Sequence, residues 1–137
     1  MTTQEKENIE LIKEFYASYT RGDVGGLLDA LADDVDWQMP GPAQIPYAGA
    51  PRHGRGQVAE FFATAAQALE VLQFEPLEFI ASGDKVVVLG RERLRARATG
   101  RSFENDWVML YTLRDRKIKR FREYGDVGVM AVAFTNA

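Results

Sequence analysis

The chain contains no cysteine and a single histidine. The first absence excludes a disulfide framework and thiolate chemistry, and it fits a reducing compartment. Together the two leave too few soft ligands for a transition-metal site, so neither a metal nor another cofactor is expected. Long hydrophobic runs are missing as well: no stretch approaches the roughly 18 apolar residues of a membrane span. The opening Met1-Thr2-Thr3-Gln4-Glu5-Lys6 lacks the basic start and apolar run of a signal peptide, so a cytoplasmic protein with no membrane partner is expected. An excess of positive charge is also absent. The net charge is −3, which disfavours nucleic acid as a partner.

What charge there is lies unevenly. Residues 1–84 hold 5 Lys+Arg and 14 Asp+Glu, giving −9, and residues 85–137 hold 12 and 6, giving +6. Complementary halves suit contacts within one fold or one dimer. At 137 residues, a single domain spanning 1–137 can bury a full core without staples.

The first third reads as helix. Thr2 and Glu5 have capping-box spacing, and Ile9, Ile12, Tyr16 and Tyr19 recur at the helical period with Phe15 on the flank. Gly22 ends this helix, and Asp23 is placed to cap a second from Val24 to Leu31. A short strand, Val35 to Gln38, precedes a Pro- and Gly-rich rim loop from Met39 to Arg55. A third helix covers Gly56 to Leu69, turning Val58, Phe61, Phe62, Ala65, Ala66 and Leu69 inward. The remainder is strand-rich: Leu72 to Ser82, Lys85 to Ala98, Ser102 to Leu113 and Lys117 to Tyr124, with a tight turn at Arg114-Asp115-Arg116. A short helix from Val127 to Phe134 closes the chain, with Asp126 as its cap. Helices followed by an antiparallel meander predict an α+β fold in which the helices cover one face of a curved sheet.

Strand alternation then separates two faces. Val86, Val88, Gly90, Glu92, Leu94 and Ala96 share one, while Arg91, Arg93, Arg95 and Arg97 fall on the other. Four arginines in alternation cannot all be buried, so Glu92 faces inward. The same parity pairs Phe121 with Glu123 inside and sets Arg120 and Arg122 outside. Burying an unpaired carboxylate is costly, so two inward glutamates suggest a pocket. The alternative is that either acid sits at a sheet edge, bonded to a backbone amide or an outward arginine. The arginine face itself can pair with Glu75, Glu78, Glu104 and Asp106, join a dimer interface, or meet an anion.

The Arg21-Gly22-Asp23 helix end, Leu31-Ala32-Asp33-Asp34-Val35-Asp36-Trp37, the Tyr47-Ala48-Gly49 to Gly54-Arg55-Gly56 loop, Gly83-Asp84-Lys85-Val86-Val87-Val88, Thr99-Gly100-Arg101-Ser102 and Arg122-Glu123-Tyr124 occur in an order and spacing that resembles the SnoaL-like polyketide cyclases. Their relatives ketosteroid isomerase and limonene epoxide hydrolase share the pattern, within the nuclear transport factor-like superfamily. The resemblance implies a cone-like α+β fold, a curved and mostly antiparallel sheet wrapped around N-terminal helices. It also implies an apolar pocket for a hydrophobic small molecule, and a homodimer. The positions that ketosteroid isomerase fills with its polar groups match Phe15, Met39 and Met109, so its dienolate chemistry is not expected here. The acid and base of limonene epoxide hydrolase match Glu92 and Glu123, but Gly90 stands where that enzyme has its bridging arginine, and Asp36 and Gln38 stand near its water-holding residues. In SnoaL-like cyclases a single pocket acid or base is enough, and Glu123 or Glu92 can serve.

The candidate catalytic residues are thus Glu123 and Glu92. Phe15, Tyr19, Trp37, Met39, Tyr47, Phe62, Trp107 and Met109 are candidate substrate-binding residues, with plain core packing as the alternative for the aromatic ones. His53, in the rim loop, is either a surface residue or a polar group at the cavity mouth. The expected function is small-molecule binding with acid–base catalysis of a cyclisation, isomerisation or hydrolysis. A non-catalytic ligand-binding or dimerisation module, and an epoxide hydrolase-like enzyme using both glutamates, are the alternatives.

Overall fold

The computed structural model describes residues 1–135, so the last two positions of the expected 1–137 domain lie outside it. Helix α1, Thr3–Thr20, starts from a complete capping box: Thr2 accepts from the Glu5 amide at 3.1 Å, and the Glu5 carboxylate accepts from the Thr2 amide at 2.7 Å. The other Glu5 oxygen accepts from Gly83 N–H at 2.8 Å, which ties the helix start to a sheet turn far along the chain. The inward stripe of Ile9, Ile12, Phe15 and Tyr16 is buried. Helix α2, Val24–Asp29, is capped by Asp23, whose carboxylate accepts from Gly26 N–H at 2.9 Å.

Six strands follow: β1 (Leu31–Gln38), β2 (Arg52–His53), then, after α3 (Gly54–Ala68), β3 (Leu69–Ser82), β4 (Lys85–Ala96), β5 (Ser102–Arg114) and β6 (Lys117–Gly125). Helix α4, Val127–Ala133, comes last, capped by Asp126. The strands form one sheet in the order β2-β1-β6-β5-β4-β3. The β1–β6 pairing is parallel and the rest are antiparallel, so the fold is α+β with a mixed, mostly antiparallel sheet.

Several boundaries differ from the sequence reading. Leu31 does not end a helix but opens β1, where it pairs with Ile118 and is fully buried. The rim loop contains a two-residue strand, because Arg52 and His53 pair with Trp37 and Asp36. Strand β3 starts at Leu69, paired with Ala96, so Leu69 faces inward from a strand and not from a helix. Strand β4 stops at Ala96, and Ala66 is exposed. Two register shifts in β3, at Val71/Gln73 and Pro76/Glu78, let this edge strand bend, and Pro76 is tolerated there. The β5–β6 turn puts both Asp115 and Arg116 at positive φ, 51° and 62°, the geometry that matches a two-residue hairpin to strand twist.

The outward arginines are partly paired within the chain. Arg91 meets Glu75 at 3.0 Å and Arg95 meets Glu70 at 2.9 Å, both solvent-exposed pairs of small energetic weight. Glu78 instead stands opposite Leu89 in the sheet register. Glu104 and Asp106 stand opposite Arg93 and Arg91 without forming an ion pair among the described residues.

Gly90 has a packing role. A Cβ there would overlap two ring carbons of Trp107 and lie 2.7 Å from the Glu75 carbonyl oxygen. Trp107 is 2% exposed and stacks on Phe74 at 5.3 Å. Backbone and a buried ring cannot yield cheaply. Gly90→Ala is therefore expected to destabilise by about 1–3 kcal/mol, read as a lower urea midpoint with an unchanged m-value; an unaltered midpoint would remove this packing account.

Candidate functional site

Helices α1 and α3 cover the inner sheet face, and between them and the sheet lies a partly open cavity of about 70 Å³. Phe15, Tyr16 and Tyr19 of α1, Phe61, Phe62 and Ala65 of α3, and Tyr47 of the rim loop form one wall. The sheet supplies Trp37, Leu69, Phe74, Leu94, Tyr111 and Phe121, with Met39 just past β1 and Met109 on β5. Glu92 of β4 and Glu123 of β6 complete the lining. Ten of these seventeen residues are aromatic, two are acids and none is basic.

The wall is held by ring contacts. Trp37 stacks on Phe121 at 3.8 Å and 20°, and Tyr16 meets Phe74, Trp107 and Tyr111 at 5.3, 6.2 and 6.1 Å. Tyr111 Oη donates to Tyr16 Oη at 3.0 Å, and Tyr16 Oη donates to the Met109 sulfur at 3.2 Å. A thioether is a weak acceptor, so the Tyr16 hydroxyl spends its proton poorly. Burial pushes the Tyr16, Tyr19, Tyr47 and Tyr111 hydroxyls up, so they stay protonated donors.

The two glutamates are 8% and 7% exposed. Their placement follows from alternation on β4 and β6, whose inward positions are otherwise apolar. Burial pushes the Glu92 carboxyl up to about 7, and a hydrogen bond from Asn105 Nδ2 at 2.9 Å acts in the opposite direction. Burial, followed by the negative charge of Glu92, raises Glu123 well above the ordinary carboxyl range. No hydrogen bond reaches the Glu123 carboxyl among the described residues. Both acids therefore have access to the neutral form near neutral pH, which suits them to exchange protons with a bound molecule.

Of the candidates read from sequence, Phe15, Tyr19, Trp37, Met39, Tyr47, Phe62, Met109, Glu92 and Glu123 all line this cavity. Two do not. His53 lies in the exposed β2 and its Nδ1 is 2.7 Å from Asp36 Oδ1, on the solvent side of β1. Trp107 is buried behind Phe74 and Gly90. Among the described residues no cation bridges the acids, and Trp107 packs against Gly90, the position at which the resemblance to limonene epoxide hydrolase implies an arginine.

The residue missed is Asn105, 2% exposed and bonded to Glu92. It occupies an inward position of β5 between Phe103 and Trp107, the same signal that marked the glutamates. Among the described residues no group of three or more His, Cys, Asp or Glu is arranged to hold a metal ion. No helix among them is long and apolar enough to cross a membrane.

The SnoaL-like domain family has a sequence model that matches residues 12–121. An NTF2-like protein from Burkholderia xenovorans LB400 is 37% identical, with a TM-score of 0.87 over 96% of this chain and 98% of that one. TerC, co-crystallised with polyporic acid, is 29% identical, with a TM-score of 0.83 over 93% and 98%. A Mesorhizobium loti protein provisionally called a SnoaL-like polyketide cyclase is 25% identical, with a TM-score of 0.69 over 85% and 97%.

The raised acids link stability to pH. A glutamate with an ordinary value of 4.5 when unfolded and about 7 when folded binds more protons in the folded state between those values. Its stabilising contribution is full below about 4.5 and is lost as pH rises through about 7, by up to about 1.4 kcal/mol per pH unit. Glu92→Gln should therefore gain stability over the wild type progressively across this window in urea unfolding at a series of pH values. Parallel profiles for the two proteins would contradict the buried-acid reading.

Proposed function

The chain belongs to the SnoaL-like domain family, and from that premise we propose that it is an acid–base enzyme acting on a hydrophobic, flat aromatic or quinoid small molecule. The observation that carries this reading is a pair of buried carboxyls in an aromatic cavity lined by no cation. Ring faces bind a flat ligand with little polar cost, and two acids of raised pKa can take a proton from one atom and return one to another. Such a transfer suits an isomerisation or an aldol-type cyclisation, in which no cofactor is consumed. The aromatic floor also offers Tyr16, whose hydroxyl can turn from the Met109 sulfur to a developing oxyanion on the ligand.

Epoxide opening by Glu92 and Glu123 receives less support, because the bridging position holds Gly90 under Trp107. A binding module without turnover uses the same cavity and differs only in outcome.

TerC was co-crystallised with polyporic acid, so this compound is the first probe. Binding can be followed through quenching of Trp37, which lines the cavity, and conversion by mass spectrometry of the recovered compound. Glu123→Gln is expected to lower turnover about 100-fold or more while keeping binding. Because the carboxyl is neutral at the outset, its thermal midpoint should stay the same or rise. Unaltered turnover removes Glu123 from the chemistry. Binding without conversion by the wild type, here and with any co-purified compound found by native mass spectrometry, would leave the binding module.

A further inference from the structure

The cavity contains two acids but only one of them has a hydrogen-bond donor. Asn105 Nδ2 donates to Glu92 Oε2 at 2.9 Å, and Asn105 Oδ1 accepts from Asp126 N–H at 2.8 Å. The second bond fixes the amide: a flipped Asn105 would set its NH2 against a backbone N–H and leave two donors facing each other. Asp126 is held in turn, since its carboxylate accepts from Val129 N–H at 3.1 Å as the cap of α4. Gly125 completes the seat. A Cβ there would lie 2.9 Å from Asn105 Nδ2 and 3.0 Å from Oδ1, so a larger residue would push the buried amide from its place.

This clamp is specific to Glu92. Asn105 is 2% exposed, so bulk water does not compete with its amide for the Glu92 carboxylate. Glu123, across the sheet on β6, receives no hydrogen bond among the described residues. The other titratable groups facing the pair are phenols, Tyr16 and Tyr19 from α1, Tyr47 from the rim loop and Tyr111 from β5. All four stay neutral, and no cation lines the cavity to favour either carboxylate. Beside desolvation and the mutual repulsion of the pair, the one directional contact that distinguishes the two acids is this amide. A hydrogen bond donated to a carboxylate stabilises the ionised form, and a carboxyl without one keeps its proton.

We propose that Asn105 is a positioning residue that assigns the roles: it holds Glu92 as the carboxylate that accepts a proton from the ligand and leaves Glu123 as the protonated acid that donates one. In one turnover a proton passes from a carbon or oxygen of the ligand to Glu92 while another passes from Glu123 to the ligand. The two carboxyls then return to their starting states by exchange with water at the cavity mouth, so the ligand neither gains nor loses protons. The assignment rests on the acid–base reading above, yet its test needs no ligand.

The test is a pH titration of glutamate side-chain carboxyl carbons by NMR on the labelled full chain, assigned with Glu92→Gln and Glu123→Gln. In the wild type Glu92 is expected to titrate below Glu123. In Asn105→Ala the Glu92 midpoint should rise by about one pH unit or more, narrowing or reversing the gap, and Asn105→Ser, which keeps a short donor, should restore part of it. A wild-type order with Glu123 lower, or an unmoved Glu92 midpoint in folded Asn105→Ala, overturns the proposal. If Asn105→Ala does not fold, the wild-type order and Asn105→Ser decide the matter. Titrations as expected without turnover of any probe would sink the enzyme reading alone. Turnover that needs Glu123 with the order reversed would sink this assignment alone.

Discussion

An aromatic cavity that takes in two carboxyl groups must either neutralise them or supply them with donors, and here it supplies one donor for two acids. The rest of the architecture accommodates that condition. Glu92 and Glu123 stand on β4 and β6, separated by β5, and it is β5 that carries Asn105 toward one of them and Met109 toward the phenols. With no arginine or lysine in the lining, the electrostatics of the site reduce to desolvation, one amide and the mutual repulsion of the pair. Such a site retains its protons where an ion-paired site would lose them.

Two glycines make this possible by omission. Gly90 lets Trp107 and Phe74 close the cavity floor against β3, and Gly125 lets Asn105 lie against the end of β6. Neither has a positive φ, so their role is close approach and not backbone freedom. In both cases a missing side chain on one strand is filled by a large or polar side chain from its neighbour, which ties the packing of the sheet directly to the polarity of the site.

The inward face of β4 was legible because arginine at 91, 93, 95 and 97 leaves one parity for the core, and the same logic on β6 fixed Glu123. Asn105 carried the identical signal between Phe103 and Trp107, but an amide does not titrate and so draws less attention than an acid on an apolar face. His53 is exposed, the surface alternative of its sequence reading. Its position depends on Arg52 and His53 pairing with β1, a two-residue contact across a 13-residue gap that local propensity does not encode. Leu31 and Leu69 shifted from helix to strand because tertiary pairing, with Ile118 and Ala96, outweighs helix propensity at an element's end. Trp107 shows the limit of alternation: parity says which side of the sheet a ring occupies, while its distance from the cavity depends on Phe74 lying in front.

The resemblance to ketosteroid isomerase sharpens what this chain does with its interior. Phe15, Met39 and Met109, at the positions the resemblance assigns to that enzyme's polar groups, all line the cavity as apolar side chains. The carboxyls of the lining are Glu92 and Glu123 on β4 and β6, and its bonded hydroxyls are Tyr16 and Tyr111, one residue along α1 from Phe15 and two along β5 from Met109. The Tyr111 proton goes to Tyr16 Oη and the Tyr16 proton to the Met109 thioether, an arrangement that ends on a weak acceptor. In a ligand site it keeps an O–H available at low cost until an oxygen arrives to accept it. The apolar wall of Phe15, Met39 and Met109 thus still presents the Tyr16 hydroxyl in the same lining as the two acids.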